Sequence, residues 1–324
     1  MAGGRLLERL SVHGDESGRH HARWGRRRAG SPRSDRSMGL LPPEVHRRRA
    51  ARRCRRRAGS TGDPGELGLL IGRCTPPDMI PPMTEPQYLL MQVRNPDDPM
   101  AEHEIRSFAM HLGCGLDRIR TWDLLSGSPG REDLESVDIV LIGGSGDYSV
   151  VAGGTWLEAA LDAMRMLHEH DKPTFASCWG CQAMARALGG TVVTDTKRAE
   201  VGTHRLQLTE EGRTDPITGP LGDGFLAQMG HQDLVETLPP GGVLLASTDR
   251  VTNQAWKFHD KRIYCTQFHP ELSLDLLLDR LRMYPKYVKE ITGLDYDEFV
   301  LRMCVDSDDT RPMLSRFVSH VTGH

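Results

Sequence analysis

Cys178, His269 and Glu271 are residue types that together can run acyl transfer: a thiol to attack, an imidazole to take its proton, and a carboxylate to orient the imidazole. Cys178 lies in Pro173-Thr-Phe-Ala-Ser-Cys178-Trp-Gly-Cys-Gln-Ala-Met-Ala-Arg-Ala-Leu-Gly189, where a short apolar run turns into a helical pattern at the cysteine. Pro173 to Ala176 reads as a strand, and Met184 and Leu188 share one helical face that stops at Gly189-Gly190. A cysteine at that bend is lifted out of the sheet, beside the first N–H groups of the helix, which have no helical partner. Those amides and the positive helix end favour thiolate over thiol. The other reading of such a cysteine is a small buried hydrophobe.

The partners come from two further stretches. In Tyr264-Cys-Thr-Gln-Phe-His269-Pro-Glu271-Leu, positions two apart on an extended segment face one side, so His269 and Glu271 can address one site, with Pro270 holding the backbone extended. Val137-Asp-Ile-Val-Leu-Ile142 reads as a buried parallel strand running into Gly143-Gly144-Ser145-Gly146, a loop that lets a backbone N–H approach a ligand. Beside the elbow, the N–H groups of Gly144 and Trp179 would form an oxyanion hole. The Trp179 indole has a second reading, as a shelter for the sulfur.

In this order, the Gly-Gly loop, the Ser-Cys-Trp-Gly-Cys-Gln elbow and Gln-Phe-His-Pro-Glu resemble the class I glutamine amidotransferase family, particularly its GMP-synthase-like branch, over roughly Tyr88 to Leu281. The resemblance implies a flavodoxin-like three-layer α/β fold with a mostly parallel central sheet. It puts the family's nucleophile on Cys178, its base on His269, its supporting acid on Glu271 and its substrate-holding glutamine on Gln182. Glu200-Val-Gly202, Gly230-His-Gln-Asp233 and Asn253-Gln-Ala255 echo the family's further pattern. Glu200 and His231 would approach the amino and carboxylate groups of the substrate, unless they are polar residues of solvated loops. Ala176, Cys181 and Gln232 depart from the pattern, standing where glycine, histidine and glycine are usual.

The activity implied is hydrolysis of the glutamine side-chain amide, with no cofactor and no metal. Ammonia would pass to a separate synthase chain, because no Gly-x-x-x-x-Gly-Lys phosphate loop is present. Two alternatives stay open: a γ-glutamyl peptidase using the same thioester, and an idle amidotransferase-like domain that binds and regulates a partner.

The elements that must position these groups follow from periodicity. Tyr88–Val93, Asp117–Trp122 and Asp138–Ile142 read as strands, with a helix over Met100–Leu112 closed by Gly113. Strand, helix, strand predicts a parallel sheet. His103 and His111 on that helix read as surface histidines rather than metal ligands. Thr155-Trp-Leu-Glu158 predicts a capping box opening a helix with Trp156 in its apolar stripe. From Thr191 the runs His204–Leu208, Asp233–Thr237, Val243–Ala246, Gln254–Phe258 and Arg262–Phe268 read as antiparallel strands at one edge of the sheet. Cys265 is assigned to packing and Cys181 away from the site. Leu272 to Met283 predicts a last amphipathic helix, ended by Tyr284-Pro285.

The chain of 324 residues, 38% hydrophobic, carries a formal charge of -3 that conceals a split. Met1 to Ala58 holds 17 arginines against 5 acidic residues, leaving 24 basic against 39 acidic residues in the remainder. The arginine-rich segment, bounded at 1–82, cannot bury enough surface to order itself, and the natural polypeptide is expected to start near Met83. Without aromatic interleaving the arginines do not predict nucleic acid as a partner. The catalytic domain is expected over 83–284, followed by a helical extension over 285–324 whose packing partner is left open. Seven cysteines, an odd number with no secretory signal before them, predict reduced thiols and a cytoplasmic protein. No apolar stretch is long enough for a membrane span.

Overall fold

A computed structural model describes residues 85–323, so the arginine-rich run and the expected start near Met83 lie outside the described residues. The first half alternates strands and helices: β1 (Tyr88–Val93), α1 (Met100–Leu112), β2 (Ile119–Asp123), α2 (Arg131–Glu135), β3 (Ile139–Ser145), α3 (Leu157–Glu169), β4 (Thr174–Ser177) and α4 (Trp179–Ala187). Each crossover helix returns the chain to the same end of the sheet, so β2, β1, β3 and β4 pair in parallel in that order.

Strands covered on both faces must be apolar at every position, which is what β1 and β3 are. Leu89, Met91, Val140 and Ile142 point into one core with Leu161, Met164 and Leu167 of α3 and Ala183 and Met184 of α4. Tyr88, Leu90, Ile139 and Leu141 point into the opposite core with Phe108 of α1. The result is the expected three-layer α/β architecture.

The second half comprises β5 (Thr191–Thr194), β6 (Glu200–Leu208), α5 (Glu210–Thr214), β7 (Phe225–His231), β8 (Asp233–Thr237), β9 (Gly242–Ser247), β10 (Ala255–Phe258) and β11 (Ile263–Thr266). The main sheet runs β2-β1-β3-β4-β11-β10-β9-β6-β7. Two expectations are corrected here. β11 is antiparallel to β10 but parallel to β4, with Ile263 opposite Thr174, so it belongs to the parallel part. β8 leaves the edge and pairs with β5 in a separate two-stranded sheet, held in part by Asn253 Nδ2 donating to the carbonyls of Val235 and Glu236 at 3.0 and 3.1 Å.

Four helices end the described chain: α6 (Leu274–Met283), α7 (Pro285–Thr292), α8 (Tyr296–Met303) and α9 (Met313–Thr322). Tyr284-Pro285 does stop α6, yet Pro285 at once starts α7, a position where its missing N–H costs nothing. Leu277, Leu281, Val288 and Phe299 form a third apolar cluster with Val201 of β6. On α9, Phe317 meets Phe175 of β4 edge to face at 5.3 Å. The residues after 284 therefore pack on the sheet itself.

Two local expectations fail for physical reasons. The capping box at Thr155 does not form: α3 starts at Leu157, whose N–H is taken by the Gly154 carbonyl at 3.1 Å, while Trp156 packs on Tyr148 and Trp179. His103 and His111 are buried, 6% and 7% exposed, away from the sheet-covering face of Phe108 and Ala109; His111 lines a cavity with Ser273 and Leu274, and its Nδ1–H donates to the Ser107 carbonyl at 2.9 Å. No described helix is long and apolar enough to cross a membrane.

Candidate functional site

The strand-to-helix bend is drawn tightly enough to force Cys178 to φ 50° and ψ -105°, a conformation that L residues avoid and that costs about 1–3 kcal/mol. Its amide donates to the Thr266 carbonyl of β11 at 2.7 Å, and its carbonyl accepts the first helical bond, from the Gln182 amide, at 3.1 Å. Gly180 lets the helix press on β3. A Cβ there would stand 2.7 Å from Ile142 Cγ2, so any larger residue would lift the elbow off the sheet.

The parallel pairing of β11 with β4 delivers residues 267–271 to the same end of the sheet as the elbow. His269 and Glu271 do meet, through a turn rather than an extended segment. The Leu272 amide donates back to the His269 carbonyl at 3.2 Å, and the His269 amide donates to the Gln228 carbonyl at 2.9 Å. The Nδ1–H of His269 then donates to Glu271 Oε1 at 2.6 Å, both side chains being buried. That bond directs the ring proton to Nδ1 and leaves the Nε2 lone pair as the acceptor.

Burial alone would push the Glu271 carboxyl up, but His269 and then Arg280 hold it down at about 2. Burial pushes the His269 imidazole down, against Glu271. Cys178 and His269 line one cavity of about 80 Å³ together with Arg280 and Tyr284. The thiol itself is directed to the Gly230 carbonyl, 3.8 Å from Sγ. Burial pushes this thiol up to about 12, with the Arg280 guanidinium and, more weakly, the Trp179 amide acting against it. The expected preference for thiolate at a helix start is thus outweighed by desolvation, and the resting pair is thiol and neutral imidazole.

Gly143 and Gly144 are the end of β3 rather than a loop. The β3 ladder with β4 stops at Ile142 opposite Ala176, while on the other side the register slips between Met91 and Val93. The backbone of Gly144 is thereby left beside the elbow. A Cβ on Gly144 would lie 3.0 Å from His269 Cε1 and 3.7 Å from Cys178 Cβ, so the two side chains flank a point that a methyl could occupy only if the His269 ring gave way by a few tenths of an ångström.

Gln182 and His231 line a second cavity, of about 130 Å³, that also opens on Cys178 and Trp179. Gln182 Nε2 donates to the Asp233 carbonyl at 2.8 Å and to Gln267 Oε1 at 3.2 Å. His231 is buried between the Asp233 carbonyl on Nδ1 and Glu200 Oε2 on Nε2, each at 3.2 Å. The Trp179 ring is buried against Trp156 with centroids 5.8 Å apart, and its Nε1 has no hydrogen-bond partner among the described residues. Cys181 faces away, accepting from Trp256 Nε1 at 3.1 Å, and Cys265 is buried packing.

Residues 102–277 match the family described as glutamine amidotransferase class-I. The chain belongs to that family. It is 30% identical over 171 residues to a GMP synthase [glutamine-hydrolyzing] of Prochlorococcus marinus, an alignment covering 53% of this chain and 28% of that protein. With the protein of the same description from Bordetella parapertussis it shares 34% over 145 residues, covering 43% and 27%. The chain therefore spans about a quarter of the length of these curated relatives. A solved glutamine amidotransferase from Thermotoga maritima superimposes with a TM-score of 0.56 at 17% identity, covering 74% of this chain and 98% of the other. One from Methylobacillus flagellatus gives 0.54 at 16%, covering 72% and 94%. At such identities the likeness is one of fold.

Behind Cys178 and His269 lies a charged cluster that the sequence reading missed. Arg94 donates through Nε and Nη2 to the two oxygens of Glu104, both at 3.2 Å, and reaches Asp98 at 3.1 Å and the Gly144 carbonyl at 3.3 Å. Arg280 lies next to this group, with Nη1 3.3 Å from His269 Nδ1. A signal did exist: Glu104 falls on the buried face of α1, and Arg280 stands on the same face of α6 as Leu277 and Leu281. Charged residues inside an apolar stripe are seldom accidental.

Proposed function

We propose that this protein hydrolyses the side-chain amide of glutamine through a thioester on Cys178. The observation that carries the reading is the buried His269–Glu271 bond, set against the strained cysteine across Gly144. Cys178 Sγ attacks the amide carbon while His269 Nε2 takes the thiol proton; the oxygen that gains charge is met by the N–H groups of Gly144 and Trp179. Collapse breaks the C–N bond, His269 returns the proton, and ammonia leaves. Water, deprotonated by His269, then attacks the thioester, releasing glutamate and the free thiol. Glu271 keeps the imidazole in the working tautomer and balances its charge. The glutamyl part lies in the cavity bounded by Gln182 and His231.

Ammonia then passes to a synthase-type partner. The support is the description of the curated relatives as glutamine-hydrolyzing GMP synthases, matched over only about a quarter of their length. A second reading, cleavage of γ-glutamyl amines by the same steps, is favoured by Leu277, Leu281 and Tyr284 beside His269, which offer apolar cover to a substituent on the leaving nitrogen. Cys178→Ala is expected to abolish glutamate release from glutamine while circular dichroism stays unchanged; turnover at the wild-type rate refutes the mechanism. A preference for γ-glutamyl peptides with negligible glutamine turnover replaces the first reading by the second.

A further inference from the structure

We infer that Arg280 is a positioning residue of this site, the buried cation that balances the charge appearing on Cys178 as the proton moves to His269. The inference rests on the reading of Cys178 as nucleophile. A guanidinium on the apolar side of α6 must be desolvated, and it is only 8% exposed. Such burial is costly unless close partners compensate it.

The partners of Arg280 do not suffice for a purely structural ion pair. Its Nη2 stands 4.0 Å from Glu104 Oε1 and its Nη1 3.9 Å from Glu271 Oε1, both at the outer limit of pairing. Its Nε and Nη2 have no hydrogen-bond partner among the described residues. Glu104 is already engaged by Arg94 in a two-point contact. Nη1 cannot donate well to His269 Nδ1, because that nitrogen carries the proton given to Glu271. What the geometry leaves is a fixed charge at the reacting centre. Nη1 lies 3.7 Å from the point a Cβ on Gly144 would occupy, the same point that Cys178 Cβ and His269 Cε1 border.

In the resting state the charges of Arg280 and Glu271 offset each other across a neutral thiol and a neutral imidazole. When thiolate and imidazolium form, Glu271 offsets the charge of the ring, and the guanidinium of Arg280, which lines the same cavity as Cys178, offsets that of the sulfur while opposing the imidazolium, so both counter-charges are already in place and little reorganisation is needed. The other groups around them are Cys181 on α4 and Tyr287 on α7 towards Cys178, and Arg94, Glu104 and His103 towards Arg280. Glu271 opposes the thiolate, and among the charged side chains Arg280 does most to favour it.

The test is the rate of Cys178 alkylation by iodoacetamide near pH 8 in the full chain, where the rate follows the thiolate fraction, with Cys178→Ala as the blank that identifies the signal. Arg280→Met is expected to slow alkylation about tenfold. Its kcat for glutamine should fall similarly at little-changed KM, and Arg280→Lys, which keeps the charge, should restore the wild-type alkylation rate. Should Arg280→Met fail to fold, Arg280→Gln, which removes the charge and keeps a polar side chain, carries the same expectation. An unchanged alkylation rate in the folded variant overturns the inference. A slowed rate in a protein that does not turn over glutamine sustains it and removes the glutaminase reading instead.

Discussion

Replacing Glu271 by glutamine keeps the shape of a fully buried side chain and removes its charge. Held at about 2 instead of the ordinary 4.5, this carboxylate contributes on the order of 3 kcal/mol to stability at neutral pH. The contribution is fully present above pH 4.5, where the carboxyl of the unfolded chain is ionised too, and is lost as the pH falls through about 2. Urea denaturation should therefore separate wild type from Glu271→Gln by about 3 kcal/mol at pH 7 and by roughly half of that at pH 3. Activity should suffer more. An amide can present an N–H to Nδ1, which stabilises the tautomer whose proton sits on Nε2, and the base then has no lone pair for the thiol. Loss of roughly 10³–10⁴ in kcat for glutamate release is expected. A variant within tenfold of wild type, or a stability gap as large at pH 3 as at pH 7, refutes this account of the 2.6 Å bond.

Gly144→Ala places a methyl 3.0 Å from His269 Cε1 at a residue whose φ is not positive, so kcat should drop about 10²-fold with Tm little changed; unaltered kcat would mean that the ring moves freely. Burial, followed by the charge of Arg280, pushes His103 down to about 4, so the native ring stays neutral while the unfolded one protonates near 6.5. Stability should then fall as the pH drops from 6.5 towards 4, and His103→Gln should flatten that slope in urea midpoints taken at pH 7 and 5. Phe317→Ala empties the contact of α9 with Phe175 and Tyr264 and should cost about 3–5 kcal/mol in denaturant; under 1 kcal/mol would show α9 to be loosely docked.

Much of the fold was legible because the first half is locally consistent. Apolar strands, an amphipathic α1 stopped by Gly113 and an abrupt change of period at Cys178 are short-range signals, and each produced its element within a few residues. What misled was direction and depth. Arg262–Phe268 alternates like its neighbours, yet strand direction is set by which strand the chain comes to lie against, here β4 on one side. His103 and His111 looked solvated because nothing in α1 reveals that the chain after residue 272 covers a second side of the helix. The site divides in the same way. The elbow and the His-Pro-Glu triplet could be read as types and spacings, whereas Glu104, Arg94 and Arg280 come from three separate elements and carry no common motif.

By itself the amino-acid sequence determined the family, the alternation of strands and helices, and which thiol, imidazole and carboxylate could form one set, since these depend on residue type and near neighbours. Tertiary structure alone decided that a turn joins His269 to Glu271, that burial raises the thiol, and that a guanidinium distant in sequence lines the same cavity. Desolvation and Coulomb energy depend on everything within several ångströms in space, and the order of residues along the chain does not specify that neighbourhood.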